Sequence, residues 1–117
     1  MNKQKVTGNS ACLSTGSAKK DYLTLGEISE QLKGTLIHGN SNHRIFGLSV
    51  PWSAKSTDIC VVASKHDLRE LRPDVVSVVT IQAYATKMHG VSNIMVVENA
   101  TEASGMLMNI FTDFYKN

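Results

Sequence analysis

The rhythm of hydrophobic and polar positions changes at Tyr22. Upstream, MNKQKVTGNSACLSTGSAKK has no apolar period and is rich in Ser, Gly, Thr, Lys and Asn. Such a stretch buries too little apolar surface to offset its ordering entropy, so residues 1–20 are predicted to be a disordered polar, basic tail. Downstream, Thr24 and Glu27 have the spacing of a capping box, and Leu25, Ile28 and Leu32 recur at helical intervals. The spacing predicts a helix from Leu25 to Lys33, stopped by Gly34. Thr35 to His38 reads as a strand, Gly39-Asn40-Ser41-Asn42 as a tight turn, and Arg44 to Leu48 as the returning strand of a hairpin.

The second half alternates more regularly. Asp58 to Ala63 and Val75 to Thr80 are nearly continuous apolar runs, as expected of strands covered on both faces. Between them Ser64 is set to cap a short helix carrying Leu68 and Leu71, which Pro73 ends. A helix over residues 82–88 is expected before Gly90, and Ile94 to Val97 reads as the last strand. Asn99 and Glu102 then cap a final helix with Ala103, Leu107, Ile110, Phe111 and Phe114 along one face. This order predicts an α/β fold: a small mixed sheet of about five strands flanked by helices, a single domain over residues 21–117.

At 117 residues and 12.8 kDa, one domain is the natural size. Hydrophobic residues at 42% and charged residues at 19% are ordinary for a globular protein. Charge adds more. Lys3, Lys5, Lys19 and Lys20 give residues 1–20 four positive charges and no acid, whereas the remainder holds eight basic and ten acidic groups. A nucleic-acid reader needs a basic stripe to neutralise phosphates, and this body has none, so nucleic acid is not expected as the main partner. No run approaches the roughly 20 apolar residues of a membrane span. The N-terminus lacks the apolar core of a secretory signal, so a cytoplasmic location is expected.

Candidate chemistry is sparse. The dinucleotide-binding, P-loop, zincin and nucleophile-elbow signatures are absent. Cys12 and Cys60 form neither a disulfide framework nor a zinc set, and Cys60, inside D-I-C-V-V, reads as a small core hydrophobe. His38 and His43 flank the turn without a third ligand, so no metal is expected. Cys60 and His66 lie on either side of a strand end, and strand alternation gives no reason for them to meet as nucleophile and base. No catalytic residues and no cofactor are therefore assigned. The segment richest in chemistry is Ala63-Ser-Lys-His-Asp-Leu-Arg69, at the carboxyl end of a buried strand where ligands gather in α/β sheets. Ser64, Lys65, His66 and Arg69 are candidate anion contacts there, with helix-capping and surface charge as the plainer roles.

From Leu23 to Phe111, about three quarters of the chain, the sequence resembles the N-terminal, uridine-binding domain of UDP-3-O-acylglucosamine N-acyltransferase, an enzyme of the lipid A pathway. The similar stretches are L-T-L-G-E-I-S-E-Q-L-K-G-T-L-I-H-G, R-I-F-G-L-S-V, D-I-C-V-V, D-V-V-S-V-V-T and I-M-V-V-E-N-A-T-E-A-S-G-M-L-M-N-I-F, in the same order. Mur ligase N-terminal domains look similar in fold, but their Asp-Ser-Arg segment is absent around Ser49 to Ala54. The resemblance implies a small α/β domain that grips the uridine and phosphate end of a UDP-linked glucosamine. Acyl transfer belongs in that family to a following left-handed β-helix. This sequence stops at Asn117 without a hexapeptide repeat, so the acyltransferase activity is not expected of it alone.

The family's binding loop, D-L-S-F-x-x-N-P-K-Y, aligns with Asp58 to Asp67. Val61 stands in place of the first aromatic, Ser64 of the Asn and Asp67 of the second aromatic. Losing two stacking faces removes on the order of 1–3 kcal/mol each, or about 10²-fold or more in affinity. His66 and Trp52 are the rings left to supply a substitute. The reading that follows is a non-catalytic, stand-alone domain, a protein-interaction or self-association module derived from a nucleotide-sugar-binding domain. Its alternative is a module retaining weak UDP-sugar or phosphate binding at residues 61–69. The alternative requires Lys65, His66 and Arg69 to converge on one pocket. The interaction reading requires an exposed apolar patch, with Met106, Met108 and Tyr115 as candidates.

Overall fold

The computed structural model describes residues 22–116, with only the course of the helix given for 113–116. The predicted tail at 1–20, Cys12 and the side chains of Phe114 and Tyr115 lie outside the described residues. In chain order the elements are β1 (Leu23–Thr24), α1 (Leu25–Leu32), β2 (Thr35–His38), β3 (Arg44–Ile45), β4 (Gly47–Ser49), β5 (Asp58–Val62), α2 (Lys65–Arg69), β6 (Ser77–Thr80), α3 (Gln82–Ala85), β7 (Asn93–Val96) and α4 (Ala100–Lys116). Five strands form a mixed sheet in the order β2-β7-β6-β5-β4. Strands β4 to β7 run parallel, and β2 closes one edge antiparallel to β7. The predicted α/β fold with a small mixed sheet flanked by helices is the one observed.

The helix α1 starts where the capping box places it. Thr24 Oγ1 accepts the Glu27 N–H at 3.2 Å, and the Glu27 carboxylate accepts the Thr24 N–H at 2.9 Å. The other two donors of the first turn explain why the predicted hairpin does not form. Leu25 N–H donates to His43 O at 3.0 Å and Gly26 N–H to Ser41 O at 2.8 Å, so the turn after β2 is drawn onto the helix start. The chain that leaves it pairs first as β3 with β1 and then crosses to the far edge as β4, parallel to β5. Thr35 to His38 pairs with β7 instead.

Two smaller expectations are also corrected. The left-handed residue ending α1 is Lys33, at φ 55°, and not Gly34. Gly34 is needed for closeness: a Cβ there would meet Val97 Cγ1 at 3.0 Å and the Val96 carbonyl oxygen at 3.1 Å. The helix predicted over 82–88 ends at Ala85, because Lys87 and Met88 donate back three residues, to Tyr84 O and Ala85 O. That tightening seats Met88 in the core.

Alternation along β5 builds two apolar layers. Ile59 and Val61 pack with Val79, Met95, Leu107 and Phe111 under α1 and α4, while Cys60 and Val62 pack with Val78, Ile94, Ala85 and Met88 on the opposite face. Both faces are covered, so the inner positions of β5 and β6, Ile59 to Val62 and Val78 to Val79, are apolar, and the polar Ser77 and Thr80 that flank the latter are buried with them. Among the described residues, no helix is long and apolar enough to cross a membrane.

Candidate binding cavity

Parallel pairing of β4 and β5 sets their carboxyl ends side by side, and the loops that leave them frame a cavity of about 350 Å³. The loop after β4 is tied down on its inner side. Pro51 is buried and its carbonyl accepts the Arg72 N–H at 3.2 Å, while Ala54 enters the second apolar layer. Trp52 is left at the tip, 49% exposed, with its ring edge-on to the His66 ring at 6.2 Å between centroids. The loop after β5 is braced by a reciprocal pair. Ser64 Oγ accepts the Asp67 N–H at 3.2 Å, and the Asp67 carboxylate accepts the Ala63 N–H at 3.0 Å. The remaining wall is α4, through Ser104 and Met108.

The candidate residues separate into two groups. Val61, Asp67 and Trp52 line this one cavity. Lys65, His66 and Arg69 lie exposed on α2 and are not among the residues that line it. Ser64 is occupied as the α2 cap. Met108 is 59% exposed on the rim, whereas Met106 lies on α4 beside a different cleft.

Sequence reasoning missed Leu48 to Pro51, because a hairpin would have carried them away from β5. It also missed Ser104. Ser104 and Met108 are four residues apart, one step round the helix from the buried Ala103 and Leu107, so their shared face was readable.

The other reactive groups stay apart from the cavity. Cys60 is fully buried on the opposite face of β5, and its thiol lies 3.9 Å from Ser77 O. Burial, aided by the nearby Asp67 and Asp58 charges, pushes the thiol up to about 12, which removes the thiolate that nucleophilic chemistry needs. Among the described residues, no group of three or more His, Cys, Asp or Glu is placed to hold a metal ion.

No protein-family model matches the chain, and no curated protein is significantly similar to it.

Proposed function

We propose that this chain is a non-catalytic binding domain that engages a protein partner, with an apolar side chain of the partner entering the cavity between Trp52 and Met108. The observation that carries this reading is the placing of exposed apolar groups. Six large hydrophobic side chains are left exposed among the described residues, and three of them, Val50, Trp52 and Met108, meet around this cavity. Isolated apolar side chains at a surface are ordinary, but a cluster around a cavity has the form of an anchor site. Tryptophan and methionine are enriched at such sites because they bury much area, and a few such anchors supply most of an interface's energy.

The charge around the cavity supports the same reading. Its wall carries one carboxylate, Asp67, and no cation. A diphosphate would be repelled there, whereas an uncharged apolar side chain is not. The domain's origin in a uridine-binding fold of the lipid A pathway is part of this proposal and rests on the sequence resemblance. One observation favours the alternative, weak nucleotide-sugar binding: Trp52 shares the cavity with Val61 and Asp67, the two positions where the resemblance places the missing aromatics.

Amide NMR titration separates the two. N-acetyl-phenylalaninamide, a mimic of a partner's side chain, is expected to give saturable shifts over residues 48–52, 61–67 and 104–108. UMP, UDP-N-acetylglucosamine and inorganic phosphate are expected to give none at millimolar concentration. Saturable shifts over residues 61–69 with the uridine ligands, and none with the capped amino acid, would replace this reading by the alternative.

A further inference from the structure

A second, larger cleft lies where the connections of two adjacent strands part. The chain leaves β6 for α3, on the face that buries Ala85 and Met88, and leaves β7 for α4, on the face that buries Ala103 and Leu107. Adjacent parallel strands whose connections go to opposite faces open a crevice outside their carboxyl ends, where α/β sheets take small ligands. Here the crevice has a volume of about 900 Å³. Ile81 borders it after β6, Glu98 and Asn99 after β7, and Glu102 and Met106 on α4, while Lys33 at the end of α1 closes the third side.

The charges around this cleft are of both signs and are not spent on each other. Among the described residues, neither Lys33 nor Glu98 nor Glu102 is in an ion pair, although all three border the same space. Opposite charges held apart across a crevice match a molecule that carries both. We propose that this cleft binds a free α-amino acid, its ammonium toward Glu98 and Glu102, its carboxylate toward Lys33 and its side chain against Ile81 and Met106. An anion alone meets two carboxylates, and a cation alone leaves Lys33 unanswered. The zwitterion answers both. This site is separate from the Trp52 cavity and shares no lining residue with it.

The test is an amide NMR titration of the full chain with leucine, leucinamide and N-acetyl-leucine. Leucine is expected to give saturable shifts at millimolar concentration, confined to residues 33–35, 81–83 and 96–106. Leucinamide lacks the carboxylate and N-acetyl-leucine the ammonium, and neither is expected to saturate in that range. Glu102→Gln is expected to weaken leucine by at least about tenfold, the loss typical of a charge-assisted hydrogen bond. Its melting temperature should fall by no more than a few degrees, since the Asn99 cap takes only the backbone N–H of residue 102 and the change removes only the carboxylate's favourable charge in the first turn of α4. No saturable shift with leucine, equal binding of either capped form, or leucine shifts around Trp52 would each overturn the proposal.

Discussion

Cys60 illustrates how position within the sheet decides a residue's chemistry. Its neighbours Ile59 and Val61 face α4, so its own side chain faces the opposite layer, enclosed among Val62, Val78 and Ile94. The folded thiol holds its proton to about 12, against 9.0 for the ordinary thiol. Above pH 9 the unfolded chain loses that proton while the folded chain keeps it. Stability from this group is therefore complete below pH 9 and falls as pH rises toward 12, by about 1.4 kcal/mol per pH unit at the steepest. Urea melts of the native chain and of Cys60→Ala on either side of pH 9 check this: the native chain should lose stability with pH more steeply than the variant. Native Cys60 should also resist iodoacetamide at neutral pH, read by peptide mapping. That the residue is a core hydrophobe was legible in the apolar run around it, whereas the cavity one position along was not. By its own apolar run Val61 reads as core, and only the family resemblance marks it as a binding position; it lines a cavity because Trp52 and Met108 arrive from distant elements.

At the scale of elements, local hydrogen bonding was legible and long-range pairing was not. Thr24 with Glu27, Ser64, and Asn99 with Glu102 announce three helix starts within a few residues, and all three are found. Replacing Thr24 by Ala should cost about 1 kcal/mol in a urea melt, the usual worth of such a cap. The hairpin failed for a reason outside its own residues. The turn at 39–43 carries the signals of a hairpin, but the donors at Leu25 and Gly26 claim its carbonyls and redirect the chain. Gly34 likewise reads as a helix stop and serves mainly to let β2 approach β7. Gly34→Ala should therefore destabilise by about 1–3 kcal/mol, the range for overpacking a tight contact. A melt unchanged by that substitution would contradict the close approach to Val97 and the Val96 carbonyl oxygen.

At the scale of the whole molecule, α4 serves two surfaces at once. Leu107 is fully buried against the sheet, while Met108, the next residue, is exposed at the cavity rim. Leu107→Ala should cost about 2–5 kcal/mol, the usual loss for a buried leucine. Met108→Ala should change stability by less than about 0.5 kcal/mol, yet weaken N-acetyl-phenylalaninamide binding severalfold. The two residues are adjacent in sequence, so comparing them separates the fold from the site it carries. The most direct measurement uses the chain's single tryptophan, which stands on that rim. Trp52 emission, excited at the red edge of its absorption, is followed while N-acetyl-phenylalaninamide and UMP are added in separate titrations. A saturable blue shift with the capped amino acid, lost in Met108→Ala, and no saturable change with UMP are expected. Saturable quenching by UMP, with no response to the capped amino acid, would contradict the proposed function.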